Sequence, residues 1–386
     1  MDTIVLVLQK EQYEVTDSTR FKDNFEPLNS LDYYNRDSFI KKHKGVRKYV
    51  QNAPILFRKE GLVHPQLTIY ERLRGSNYSC DLHIRVSLSK LLYGHSFLDL
   101  YTDQLNIVRD LLVARLKDMA VIVSKEALQQ AQVNTMHYSV NLDFPSEQHC
   151  RMFLDRLNKV SIGNWLEKNT RAYSNDGHAV RFHSSIFQIV FYLKYYDLFE
   201  TKSRRIDRHV TMQEEQVAKK IKESGVIPPV VRFEIRFAGK RSVTKHLNTI
   251  LALEKKVWLF NEVFSSAYSR KVLLYYWNKI LDDPINHNLL CGFSAQDVCR
   301  LALDKYKQGK LQTVFAGLGI FYLLHSLGLK DTRELVQSRQ SCATWYRERR
   351  KIATFVHRYV KENTELIDIV TKALKNTEKQ LKLYND

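Results

Sequence analysis

Five side chains in this sequence have types and settings that point to chemistry: His83, His137, Tyr192, Lys194 and Glu234. Two imidazoles and a carboxylate form a workable ligand set for a divalent cation. Imidazole with carboxylate suits Mn²⁺ or Zn²⁺, Mg²⁺ prefers more oxygen, and a site with open positions acts as a Lewis acid. A phenol of pKa about 10 is a poor nucleophile at neutral pH. A metal-polarised phosphate and a nearby ammonium such as Lys194 would favour its attack. The product would be a phosphotyrosine ester, which keeps a broken DNA strand activated for resealing by a 3′-hydroxyl.

The elements that must position these groups are strands. Four segments alternate apolar and polar residues with period two, which sends the two sets to opposite faces of a sheet. In 82–88 the polar set is His83, Arg85 and Ser87, and in 136–144 it is His137, Ser139, Asn141 and Asp143. In 187–196 it includes Tyr192, Lys194 and Tyr196, and in 231–237 it is Arg232, Glu234 and Arg236. Helical periods at 101–117 and 147–159 would cover the apolar face. The fold class expected is α+β, an antiparallel central sheet with helices on one face. Any single His or Tyr on such a face is most often surface decoration; four strands each offering an ionisable group shift the reading toward a site.

The chain has 386 residues, 44% hydrophobic and 26% charged, so it has the apolar material for a core and is not a disordered tail. Its 60 Lys+Arg against 42 Asp+Glu give a net charge of +18, which points to a polyanionic partner, most often nucleic acid. Basic clusters recur at 41–44, 202–205 and 347–351. The five cysteines show no CxxC spacing and read as free thiols, which disfavours a zinc knuckle. The longest apolar stretch, 315–327, falls short of the roughly 20 residues a membrane helix needs. The opening residues 1–9 read as a first strand.

The ordered set of motifs resembles the gene II replication initiators of filamentous phages, which are rolling-circle nicking enzymes of the His-hydrophobe-His type. Ser87, Lys90, Gly94 and His95 match the family's Ser-x-x-Lys-x-x-x-Gly-His-Asn element, with Ser96 in place of Asn. The stretch from Val133 to His137 matches the second motif. Tyr192 and Lys194 match the nucleophile's Tyr-x-Lys context, with Tyr195 and Tyr196 as adjacent candidates, and Arg232-Phe233-Glu234 matches an Arg-Phe-Glu strand. The family commonly carries an acidic residue where this chain has His83, and Arg-Ile-Asp where it has Thr135-Met136-His137. Exchange of carboxylate for imidazole keeps the capacity to bind a metal and makes the site titrate near pH 6.5. The resemblance implies a nickase that uses Mg²⁺ or Mn²⁺ held by His83, His137 and Glu234, with Tyr192 as nucleophile and Lys194 offsetting charge. Origin DNA would be met in double- and single-stranded form by Lys90, His95, Arg232 and Arg236. Host helicase, polymerase and single-strand-binding protein, and the cytoplasm of a bacterial host, are implied with it.

The resemblance covers residues 1 to about 245. From about Ser242 nearly every window is helical in period, so the expected division is a nickase domain over 1–241 and a helical, DNA-binding domain over 242–386. There 315–327, 331–337 and 341–356 read as three helices, with Gly328 ending the first. The last mixes Trp345 and Tyr346 with Arg347, Arg349, Arg350 and Lys351, which either dock on DNA phosphates or form a solvated face over a core tryptophan. A noncatalytic origin- or single-strand-binding protein, stacking bases on its tyrosines, is the alternative function.

Overall fold

A computed structural model of the chain describes residues 1–23, 46–52, 61–74, 77–162, 171–174, 177–184, 186–199, 211–291, 295–305, 311–359 and 364–375. The basic clusters at 41–44 and 202–205 lie outside them. The strands are β1 (Thr3–Gln9), β2 (Glu14–Val15), β3 (Lys22–Asp23), β4 (Val46–Gln51), β5 (Gln66–Arg74), β6 (Asn77–Ser87), β7 (Val121–Ile122), β8 (Gln132–Asp143), β9 (Arg171–Ser174), β10 (Ala179–His183), β11 (Phe187–Leu193) and β12 (Val230–Ala238). Ten of them form one antiparallel sheet in the order β3-β4-β5-β6-β1-β8-β12-β11-β10-β9. The protein is therefore α+β with a central antiparallel sheet.

The helices are α1 (Leu88–Tyr93), α2 (Leu105–Asp118), α3 (Lys125–Gln129), α4 (Glu147–Lys159), α5 (Met212–Ser224), α6 (Lys240–Leu251), α7 (Phe260–Val263), α8 (Ser266–Leu281), α9 (Pro284–Leu290), α10 (Ala295–Lys305), α11 (Leu311–Leu327), α12 (Leu329–Gln337), α13 (Cys342–Tyr359) and α14 (Glu365–Lys375). Their ends follow from local chemistry. Ser146 and Ser341 cap α4 and α13 by accepting from the backbone N–H of His149 and Thr344. Gly328 follows α11 at φ +87°, and a Cβ there would meet the Lys159 backbone at 2.9 Å, so only glycine lets α11 end this close to α4.

Period-two alternation puts Ile84, Met136, Tyr138, Leu142, Ile189, Phe191, Phe233 and Ile235 on one face, all fully buried. Helices α4, α6, α8 and α14 pack on that face, with Trp277 of α8 against Phe153 and Phe191. Residues on both sides of 241/242 belong to this one continuous core, and the Tyr138 hydroxyl donates to the Val263 carbonyl at 2.8 Å. The change from mixed to helical elements occurs inside the core. The opposite face is also covered at its centre, contrary to the expectation of helices on one face only. Val230, which shares that face with Arg232, packs with Ile221 of α5, Phe97 and Tyr195 in a small separate cluster. No helix among the described residues is long and apolar enough to cross a membrane.

Candidate functional site

The polar face is organised by β12 and its two neighbours. Register sets Tyr192 of β11 opposite Arg232, and Arg232 opposite Asn141 of β8; one pleat on, Glu234 lies opposite Ser139, and Arg236 opposite His137. Tyr192 and His137 are thus diagonal neighbours of Glu234, within reach of long side chains. The expected convergence holds for Tyr192, Lys194, Arg232, Glu234 and Arg236.

Glu234 is 1% exposed and both its oxygens are engaged. Its Oε1 accepts from the Tyr192 hydroxyl at 2.7 Å and from Arg232 Nε at 3.0 Å. Its Oε2 accepts from Arg236 Nε at 2.7 Å and Nη2 at 2.5 Å. Burial alone would raise the carboxyl's pKa, but Arg236 and Arg232 hold it well below the usual carboxylate range. Arg232, with no exposed side-chain surface, also donates to the Ser96 carbonyl, Asn141 Oδ1 and Ser139 Oγ at 2.7 to 3.1 Å, with Asp2 and Asp99 within 3.7 Å. A buried guanidinium is tolerable only when paired and hydrogen-bonded in this way.

Lys194 is 4% exposed; its Nζ donates to Ser96 Oγ at 3.0 Å and lies 5.7 Å from the centre of the Tyr192 ring. Ser96 in turn donates to Glu214 Oε1 at 3.0 Å, and Lys90 Nζ pairs with Glu214 Oε2 at 2.7 Å. The residues Ser87, Lys90, Gly94, His95 and Ser96 lie along the end of β6, helix α1 and the turn after it, which border this site. Ser87 runs from β6 into α1 and donates to Asp2 Oδ1, while Gly94 ends α1 at φ +74°. His95 stacks between Tyr93 and Phe97 and accepts the Phe97 N–H on Nδ1, and burial lowers its pKa.

Three expectations are corrected. Strand β1 lies between β6 and β8, so His83, opposite Val7, sits two strands from His137 and four residues along, about 16 Å away by strand geometry. His83 instead lies against the Tyr70 ring with its pKa pushed down to about 4 by burial and Arg72. His137 is pushed down to about 4 by burial and Arg236. With Glu234 saturated by two guanidinium groups and the phenol, His83, His137 and Glu234 do not fit a divalent cation, and no metal-binding group of His, Cys, Asp or Glu occurs among the described residues. Tyr196 leaves the polar face because β11 ends at Leu193; its hydroxyl bonds to Glu147 at 2.7 Å and to Arg151 at 2.6 Å on α4. Tyr195 is buried and stacked on Phe97.

Comparison of the chain with protein-family models, with curated proteins and with solved structures gives no match. The site must therefore be read from its own chemistry. Three members were not singled out from the sequence: Asp2, Asp99 and Glu214. The signal for Glu214 was present, since Thr211-Met-Gln-Glu214 is a capping box in which each end bonds the other's backbone N–H.

On α13 the basic residues divide. Trp345 is buried in the core, Arg349 pairs with Asp283 at the start of α9, and Arg347, Arg350 and Lys351 face solvent, the first and last beside Glu348.

Proposed function

We propose that the protein is a DNA strand transferase in which Tyr192 attacks a phosphodiester, the reading that the resemblance to gene II replication initiators also supports. The observation that carries it is the phenol of Tyr192 donating at 2.7 Å to an ionised carboxylate, with Arg232, Arg236 and Lys194 gathered around the pair. A tyrosine transesterase needs its phenol oxygen held in a fixed orientation and positive charge where negative charge develops on phosphorus oxygens. Glu234, held ionised by the two arginines, orients the phenol through Oε1; the phenol proton is released to solvent as the tyrosine oxygen bonds to phosphorus, the bond to the 3′ oxygen breaks, and that oxygen takes a proton from solvent. The product is a 5′-phosphotyrosyl strand and a free 3′-hydroxyl, which would prime a host polymerase, with helicase and single-strand-binding protein acting on the opened duplex. Reversal rejoins the ends without hydrolysis. A role at a phage origin in a bacterial host belongs to this proposal. No step is assigned to a metal, because the side chains do not converge on one.

One observation favours a second reading. Tyr192 is 9% exposed, beneath a network that engages its hydroxyl, as expected if the polar face is structural and DNA is bound without covalent chemistry. Incubation with 3′-labelled single-stranded DNA of random sequence separates the two. The transferase leaves label on the protein through a denaturing gel and loses it in Tyr192→Phe, whereas the binder labels in neither.

A further inference from the structure

We propose that the Glu214 carboxylate of α5 occupies an anion site made for a DNA phosphate, so that α5 competes internally with the nucleic acid for the region over Tyr192. The inference rests on the DNA-acting reading above. Glu214, a buried residue, accepts from Lys90 Nζ at 2.7 Å and from Ser96 Oγ at 3.0 Å. The same Ser96 hydroxyl is met from its other side by Lys194 Nζ at 3.0 Å. One ammonium group and a hydroxyl thus bond the carboxylate directly, with a second ammonium on the same hydroxyl, and only another anion can replace the carboxylate without leaving this positive charge uncompensated. A phosphodiester matches it in charge and in offering two oxygens side by side.

Two features mark α5 as the displaceable partner. Its buried apolar contacts belong to the small cluster of Phe97, Tyr195, Ile221 and Val230, separate from the main core, so its release exposes little apolar surface. It also seats directly on the Gly94 turn, where a Cβ would come within 2.6 Å of the Gln213 side chain, so a DNA backbone approaching Lys90 and Ser96 meets α5 first. The other side of the site is the rigid sheet: Lys194 follows β11, and the Ser96 carbonyl is bonded to Arg232 of β12.

Glu214→Gln tests this cleanly, because glutamine retains the size of the side chain and its part in the capping box with Thr211 while removing the charge. Binding of fluorescein-labelled oligothymidylate to the full chain is followed by anisotropy across a salt series. The variant is expected to bind about tenfold more tightly, the worth of releasing a charge-assisted bond, with a steeper salt slope by about 0.7 for each ammonium that gains a phosphate. Adding Lys90→Gln to the variant should return the affinity to that of the unaltered chain or below. Equal or weaker binding by Glu214→Gln overturns the latch alone, and absence of binding by every form overturns the DNA reading with it. Hydrogen exchange on the unaltered protein gives an independent check that needs no variant. Oligothymidylate should speed exchange of the α5 amides, and unchanged or slower exchange there contradicts the proposal.

Discussion

Replacing Glu234 by glutamine tests whether the polar face is a closed ionic network. The substitution preserves volume but removes the one charge that both guanidinium groups share, and it turns an amide N–H₂ toward Arg236 or Arg232, which can only donate. Arg232 has no exposed side-chain surface and would keep its neutral acceptors Ser96, Asn141 and Ser139, but as anionic neighbours only Asp2 and Asp99, each beyond 3.5 Å. Removing one partner of a buried pair costs about 3–5 kcal/mol. Spread over a chain of this length, that lowers the thermal midpoint by roughly 4–6 °C. Urea denaturation followed by circular dichroism measures the loss. Arg236→Gln should then cost less in the Glu234→Gln background than alone, with a coupling of about 1–3 kcal/mol. A loss under about 1 kcal/mol with no coupling would show that Glu234 is not held by the arginines and would reopen its role as a metal ligand.

Further outcomes follow from the same geometry. Tyr192→Phe removes a hydrogen bond to a charged group and should cost about 1.5–3 kcal/mol in the same denaturation assay, whether or not the protein is catalytic. His137 has a folded pKa of about 4, below its unfolded value, so the unfolded chain binds more protons between about pH 6.5 and 4. Its contribution is intact above pH 6.5 and falls by about 2 kcal/mol at pH 5, so His137→Gln should flatten the midpoint-against-pH curve over that window. Because His83, His137 and Glu234 do not converge, Mn²⁺ or EDTA should leave the thermal midpoint within about 1 °C, and a metal-dependent rise of several degrees would contradict the geometry. Changing Arg347, Arg350 and Lys351 together to glutamine should leave stability within about 0.5 kcal/mol and, if α13 meets DNA, reduce the salt slope of duplex binding by about 0.9 per charge lost.

Period two was the strongest signal in the sequence, and it located β6, β8, β11 and β12 to within a few residues and assigned their faces, because a half-buried antiparallel strand cannot hide its alternation. It carries no information on strand order. Insertion of β1 between β6 and β8 separates His83 from His137, and nothing in either strand's pattern records that neighbour. Alternation also stops where a strand stops, which is why Tyr196 was placed with Tyr192 and instead bonds α4. A polar face reads as solvated when its cover is irregular. The 94–99 turn and the single buried carboxylate of α5 turn Lys194, Arg232 and Glu234 from surface groups into a buried network, through contacts about 100 or more residues apart in sequence for Lys194–Ser96 and Glu214–Lys90. The helices α11, α12 and α13 are legible from Gly328 and from their spacing, whereas the sequence leaves Trp345 open between a DNA-docking face and the core, and it is its packing in the fold that buries it.

The most direct test of the central claim is capture of the covalent intermediate. The purified chain is mixed with 3′-labelled single-stranded DNA of random sequence, denatured, digested with protease, and the labelled peptide sequenced by mass spectrometry. The account predicts a nucleotide-bearing peptide modified on Tyr192, absent from Tyr192→Phe and formed in EDTA as in Mg²⁺ or Mn²⁺. Label on another tyrosine, or DNA bound without any adduct under all three conditions, would contradict it.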